Sequence, residues 1–597
     1  MKGFHWILLL MGVLALAACR TEPPRVDDKP SVIVFPHEPS GEPSGPPRTG
    51  ALRTYATLYS AGLEWRFSGD PEGNASCTLR YRKFGEEAWQ EAWPPYRIRF
   101  TPPQPVAGKN ETFDGCAGSI FFLQPGTIYE LWVKREDPDG ADDQGLVRVR
   151  THNEPAIPEN AHTYHVVPGS GGGTGTVADP YRGIEEAQRH ARPGDVFLLA
   201  AGEYAGFAAD TIWLHVGGYE GRWVVWKAAE DGVVFTDPVR IAADYVWLEG
   251  VHLRGDSGGH DGRGLRTEDA PKRVVIKNNT FTGFHYSIVF NYGGEAWVIE
   301  NNTIIGDKDL RECLDDRGEE IHDDRCPSAS YGGEGIELNR TSGHTVAYNS
   351  ISRVADGISY PLENTDIFGN EIFDVTDDGI EPDLGYANIR VWNNRITNAR
   401  HNGLSFQPMN GGPWYFIRNQ VAAPRESTLK LRQPSRVLLA HNLLIGWNGA
   451  VTAYRGESMR RIDSLNNLYV SVSGSYVWEL YGEGPVVARL DHDGFDWDGA
   501  SMAFKWDASH RYRDLAAFQQ ATGLEPHGLA FDRADCFTVW HVTRPPEPMP
   551  LEAMTLKAGC PAVDAGMVLP NITGAYTGAA PDLGPYERGL PVPHYGP

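Results

Sequence analysis

Gly335-Ile-Glu-Leu-Asn339, Gly357-Ile-Ser-Tyr-Pro361, Gly379-Ile-Glu-Pro-Asp383, Gly403-Leu-Ser-Phe-Gln407, Thr428-Leu-Lys-Leu-Arg432 and Ala450-Val-Thr-Ala-Tyr454 lie over one another, with starts 22, 22, 24, 25 and 22 residues apart. A second series runs in phase with them: Asn279, Asn302, Asn349, Asn370, Asn394, Asn419, Asn442 and Asn467, most followed by a short apolar run such as Thr-Ile-Ile or Arg-Ile-Thr. Self-similarity at this period marks stacked supersecondary units, each in contact with its neighbours.

The residues choose among the repeat architectures. A leucine-rich repeat needs an L-x-x-L-x-L frame with a helical return, and here short β-type runs are separated by turns. An all-β, right-handed parallel β-helix fits, because each strand then pairs with its equivalents one coil above and below, about 4.8 Å away, and crossovers between parallel strands are right-handed. The recurrent Asn gains a reason in this fold. An amide stacked on an identical amide donates to one neighbour and accepts from the other, satisfying buried turn groups. The solenoid is expected over residues 160–490 with its amino-terminal cap, and has room for about ten coils.

At the amino terminus, Met1-Lys2 precedes an apolar run, Ile7 to Ala18, that ends in Leu16-Ala17-Ala18-Cys19. The run reads as a secretory signal over residues 1–19. Its ending resembles a bacterial lipobox, which implies export, lipidation at Cys19, and attachment to a membrane without spanning it; the other reading is an ordinary cleaved signal. Residues 20–50 are rich in Pro, Glu and Ser, the composition of a stiff extended spacer.

Residues 51–152 alternate apolar and polar in short runs, as a small β-sandwich does. Leu123-Gln-Pro-Gly-Thr-Ile-Tyr129-Glu-Leu131 resembles the strand entry and tyrosine corner of fibronectin type III domains, and Trp65 stands where their core tryptophan would. No chemistry is assigned to this domain. After Cys19 the remaining cysteines fall into local pairs, Cys77 with Cys116, Cys313 with Cys326 and Cys536 with Cys560, and in an exported chain such pairs are disulfides.

The stretch from Thr163 to Tyr204 resembles the amino-terminal cap of secreted β-helix proteins: a glycine-rich lead, Tyr181, an amphipathic helix, and the turn Pro193-Gly194-Asp195 into an apolar strand. The glycine run lacks the Gly-Lys-Ser/Thr of a phosphate loop. Such a cap covers an open parallel edge. Residues 491–597, with a short helix over Leu515 to Thr522 and the segment from Cys560 to Gly589, read as a carboxy-terminal cap.

A net charge of −24 without a basic stripe disfavours nucleic acid and anionic lipid as ligands. An anionic polymer remains open, since charge inside one groove decides that, and the chain is expected to be a monomer. Chemistry depends on which side chains leave the solenoid. In the first strand of each coil the apolar residues, such as Ile336, Ile358, Ile380, Leu404 and Leu429, point inward, so the other parity points out. With the turn residue before each Gly added, the outward set is Glu337 and Asn339; Asp356 and Ser359; Asp378, Glu381 and Asp383; Asn402, Ser405 and Gln407; Lys430 and Arg432; Thr452 and Tyr454. Like charges stacked at strand spacing are destabilising. Such a face needs a metal, a substrate or shared protons.

These lines resemble secreted right-handed β-helix carbohydrate enzymes of the pectate-lyase-like superfamily, and in part the polygalacturonase family of glycoside hydrolases. That family carries N-T-D, D-D, G-H-G and R-I-K on four consecutive coils; the matching lines here are Ala355-Asp356-Gly357, Asp377-Asp378-Gly379, His401-Asn402-Gly403 and Lys430-Leu431-Arg432. Asn-Thr is missing before Asp356, His401 lies one residue early, and Lys and Arg are exchanged. The resemblance implies cleavage of an acidic polysaccharide by carboxylates: Asp377 or Asp378 as general acid, Asp356 with the other as activators of water, and His401 close by. Lys430 and Arg432 would hold the sugar acid, with Glu381, Asp383, Gln407 and Tyr454 as further contacts and no cofactor required.

Two other readings stand beside it. In a polysaccharide lyase or epimerase, Glu337, Glu381 and Asp383 would hold Ca²⁺ and Lys430 or Arg432 would abstract a proton; the intervening Ser405 coil, about 10 Å of separation, counts against it. In a glycan-binding or adhesive rod, Asp356 and Asp378 are turn residues only. Finally, a loop with Cys313, Asp315, Asp316, Glu319, Glu320, His322, Asp323, Asp324 and Cys326 leads into Glu337 and is placed to wall one end of the groove.

Overall fold

The computed structural model describes residues 47–597 except 103–110, 207–209, 256–261, 318–320, 322–324, 327, 329–330, 409, 424–426, 433–435, 448, 454–459, 473, 475, 499–501, 543–546, 548 and 551–552. Cys19, the signal, the Pro-rich segment to Pro46, Tyr454 and the acids of the 319–324 run therefore lie outside the described residues.

Each coil of the repeat region contributes three short strands. One coil reads Leu404–Phe406, Trp414–Ile417 and Gln420–Ala423, and the next reads Leu429–Leu431, Arg436–Ala440 and Leu443–Gly446. Every strand pairs in parallel with its equivalent in the neighbouring coils, for about eleven turns. The first strands put Ile288, Ile336, Ile358, Ile380, Leu404, Leu429, Val451, Trp478 and Phe504 in one register line. All are buried, and they fill the interior as a column of stacked side chains. Coil strands continue past residue 490, to Leu529–Ala530, where the helix Leu515–Thr522 packs Leu515 and Phe518 over the end of the column.

The turn between second and third strands explains the repeated Asn. One residue enters the left-handed region, as at Asn393 (φ 52°), Arg418 (φ 54°), His441 (φ 55°) and Asn466 (φ 62°), and the ladder Asn follows. The ladder amides are linked Nδ2 to Oδ1 from Asn279 through Asn302, Asn349, Asn370, Asn394, Asn419 and Asn442 to Asn467, at 2.9–3.1 Å. Each Oδ1 also accepts the backbone N–H of the preceding ladder residue, and each Nδ2 also donates to a carbonyl one coil back. The series has a terminus that the spacing alone does not reveal. Asp493 takes the ninth place, accepting from Asn467 N and Nδ2 at 2.7 and 3.0 Å, and a carboxylate ends a ladder because it accepts without needing a further acceptor.

Residues 51–150 form the expected sandwich of two antiparallel four-stranded sheets. Trp65 is fully buried in its core, and the Tyr129 hydroxyl accepts the Gln124 N–H at 2.9 Å. The sandwich is docked on the solenoid. Phe121 packs edge-on against Tyr415 and Phe122 against Trp392. The Thr57 hydroxyl donates to Asp366, and Arg390 Nη1 donates to Ser119 Oγ, so two sandwich side chains complete the buried Arg390–Asp366 ion pair of the solenoid. At Gly62 a Cβ would stand 2.2 Å from Asn364 Oδ1, so the close approach requires glycine. The three disulfides, Cys77–Cys116, Cys313–Cys326 and Cys536–Cys560, are formed.

Because a truncated ladder position strands buried partners on both sides, Asn394→Ala should cost about 3 kcal/mol or more, measured as a lowered urea midpoint. A loss below about 1 kcal/mol would mean that the ladder is ornamental to stability.

Candidate active site

Two register lines converge on the face of the first strands. The outward line runs Glu337, Ser359, Glu381 on consecutive coils, then Ser405, Lys430, Thr452, Glu479 and Lys505. The line before the Gly turns runs Glu334, Asp356, Asp378 and Asn402, and it forms a second ladder. Asp378 N donates to Asp356 Oδ1 at 2.9 Å; Asn402 N and Nδ2 both donate to Asp378 Oδ1 at 2.8 Å; Ser427 Oγ donates to Asn402 Oδ1 at 3.0 Å. These carboxylates therefore hold the turns together.

Asp356 is 2% exposed and Asp378 1% exposed, with the Asp377 side chain at 14% beside them. Ligand oxygens of Asp356, Asp377 and Asp378 lie within 4.8 Å of one another. His401 Nδ1 stands 3.5 Å from Asp377 Oδ1. The ring of Tyr331, five residues after Cys326, meets the His401 ring edge-on at 5.8 Å.

Lys430 departs from what spacing suggests. Its Nζ reaches back over the small Ser405 to donate to Asp378 Oδ2 at 3.0 Å. The separation of about two coils is spanned by the lysine stem, which removes the objection that acid and base lie too far apart. Gln407 N donates to Asp383 Oδ1, and Arg432 Nη1 lies 3.5 Å from Gln407 Oε1.

Burial, and then mutual repulsion, set the charge state of the cluster. Burial raises the Asp377 carboxyl to about 8, with Asp378 and Glu381 adding to it and Lys430 opposing. Glu381 is raised to about 7 by burial and Asp378, against Lys430 and hydrogen bonds with Tyr360 and Asp383. Asp356, Asp383 and Glu334 are held well above the ordinary carboxyl range by burial and by the neighbouring acids. Burial alone would depress the Lys430 ammonium, but Asp378, Asp383 and Glu381 override it and raise it. The crowded acids share protons, as stacking at strand spacing demands.

Glu337, a cation ligand only in the lyase reading, is raised by burial, with Arg263 and Arg340 opposing. Glu334 was absent from the expected set, yet it pairs in register with Asp356 and is coupled to Glu381 and Asp377. Its signal was available: it precedes Gly335 as Asp356 precedes Gly357. Lys308, buried in the loop ahead of the cluster, has its ammonium lowered by burial against Asp307 and Asp356, and the repeats do not reveal it.

A hard cation fits the three aspartates. Oxygens bound to one Ca²⁺ at about 2.3–2.6 Å lie no more than about 5 Å apart, and those of Asp356, Asp377 and Asp378 meet that limit. An inverting hydrolase instead separates its carboxyls by about 6.5–9.5 Å.

A family described as right handed beta helix region matches residues 264–422. No curated protein matches the chain. Among solved structures, pectate lyase Pel9A is 17% identical, with 72% of this chain and 96% of that one covered and a TM-score of 0.32. A rhamnogalacturonan lyase is 12% identical over 62% and 87% of the two chains, with a TM-score of 0.34. A mutant of the periplasmic alginate epimerase AlgG is 12% identical over 53% and 83%, with a TM-score of 0.33. The family match and the parallel register of successive coils make the repeat region a right-handed parallel β-helix.

The raised carboxyls fix the sign of a pH effect. A carboxyl whose folded pKa lies above its unfolded value of about 4 stays protonated only in the folded state between the two, so its contribution is complete below about 4 and is lost as pH rises through the folded values. For Glu381 and Asp377 those are about 7 and about 8. The melting temperature in metal-free buffer should fall between pH 5 and pH 8, and Asp356→Asn should flatten the slope. A melting temperature that rises over that range would contradict the shared-proton cluster.

Proposed function

We propose that this groove cleaves an acidic polysaccharide by β-elimination, with Asp356, Asp377 and Asp378 holding a divalent cation and Lys430 acting as the base. The observation that carries the reading is that oxygens of these three aspartates lie within 4.8 Å of one another, with Lys430 Nζ 3.0 Å from Asp378 Oδ2. When bound, the cation neutralises the uronate carboxylate and makes the adjacent C–H acidic. Lys430 takes that C5 proton, the C5–C4 double bond forms, the C4–O bond breaks, and the departing sugar oxygen takes a proton from water. Arg432, beside Gln407 of the preceding coil, is the group that orients a sugar acid.

Lys430 needs its neighbours answered before it works as a base. Asp378, Asp383 and Glu381 keep it an ammonium, so carrying their charge on a cation is what would return it toward the range where it accepts a proton. Activity should therefore depend on the metal and rise with pH.

Hydrolysis is the second reading, favoured by the Asp377 carboxyl at about 8 beside His401, a protonated acid at neutral pH. The lipid anchor expected at Cys19 would hold either activity at a membrane surface of an exporting cell.

Polygalacturonate, alginate and glycosaminoglycans followed by ultraviolet absorbance of unsaturated uronates and by reducing ends decide between them. Elimination predicts both signals together, abolition by chelator, an increase from pH 7 to pH 9, and a loss of about 10²-fold or more in Lys430→Ala. Reducing ends without absorbance, insensitive to chelator and falling above pH 8, would replace elimination by hydrolysis.

A further inference from the structure

The outward line of the groove continues toward the amino-terminal coils, where its chemistry changes. In register, Trp213 is followed by Arg240, Arg266, Val289 and then Glu337. The middle residues of Ile212–Leu214 and Val239–Ile241 point out while both neighbours are buried, so Trp213 and Arg240 share the face that carries the carboxylates. Trp213 is 41% exposed, and the Arg240 guanidinium lies 5.3 Å from its ring centroid.

Arg240 and Arg266 stand directly opposite one another on adjacent strands, an arrangement of like charges that costs stability. The acid beside Arg240 is Glu268, at 3.5 Å, and Arg240 Nε is buried with no hydrogen-bond partner among the described residues. Arg263, on the same strand as Arg266, lies 5.7 Å from the Tyr286 ring centroid and acts electrostatically on Glu337. At about 4.8 Å per coil, Arg266 is about 14 Å and Trp213 about 24 Å from the coil of Asp356, the distance covered by several sugars of an extended chain.

We infer that Trp213, Arg240 and Arg266 form a remote arm of the groove that grips the acidic groups and one sugar face of a polyuronate several residues from the bond that is cleaved. An exposed indole offers a stacking face, and two arginines in register on adjacent strands offer forked donors for carboxylates arriving at a matching interval. The inference rests on the acidic-polysaccharide reading of the same groove, and it adds that affinity grows with chain length in one direction only.

The test uses the full chain carrying Lys430→Ala, which is slow enough to allow equilibrium binding, with and without Ca²⁺. Its probes are galacturonate and alginate oligomers of four and of ten sugars, followed by calorimetry. The ten-sugar oligomer should bind at least 10-fold more tightly than the four-sugar one, and adding Arg240→Ala and Arg266→Ala should collapse that ratio toward one. Trp213→Ala should reduce it at an unchanged melting temperature. Should the parent show the length preference and the arginine variant, folded by circular dichroism and melting temperature, retain it, the arm is overturned and the groove reading stands. Should the parent bind neither length of either polymer, both fall.

Discussion

Parallel strands repeat every 4.8 Å or so, and everything in this protein follows from what can be stacked at that interval. Apolar side chains stack inside without cost. Amides stack because each supplies what its neighbour lacks, which is why the turn carries Asn from Asn279 to Asn467 and closes on Asp493. Carboxylates do not stack. Where the line before each Gly changes from Asn402 to Asp378, Asp356 and Glu334, the same geometry that stabilises the scaffold forces acids together in a nearly dry place.

That conflict is the physical basis of the proposed chemistry. The acids are tolerated in three ways: one oxygen of Asp356 and Asp378 is occupied by the next coil's N–H, Lys430 answers Asp378, and the rest hold protons well above the ordinary carboxyl range. Each of these is a state that a cation would displace. The sandwich docks beside the cluster through Arg390–Asp366, and Tyr331 packs on His401. A rigid site with surplus negative charge is arranged to gain when charge is supplied.

Much of the fold could be read from the chain because a solenoid writes its geometry as a period. The coil register, the Asn ladder, the disulfides and the helix Leu515–Thr522 all appear at the expected residues. Asp356, Asp377 and Asp378 lie together, with His401 beside Asp377. What was not legible depends on side-chain reach or on irregular coils. Spacing of backbones put Lys430 two coils from Asp378, whereas the lysine stem closes that gap over Ser405. Arg240, Arg266 and Trp213 sit on coils without the Gly-Ile-Glu pattern, so no alignment of repeats brought them to the face. Glu334 was legible, since it precedes Gly335 as Asp356 precedes Gly357, whereas the sandwich docking was hidden by distance in sequence.

The central claim is that the carboxylate ladder is built to be closed by one hard cation, and calorimetric titration of Ca²⁺ into the metal-free protein at pH 8 tests it directly. The account predicts one equivalent bound with release of protons, lost in Asp377→Asn and Asp378→Asn and unaffected by Asp491→Asn at the distant Asp491–His527 ion pair. Absence of binding, or binding that survives both substitutions, would contradict it.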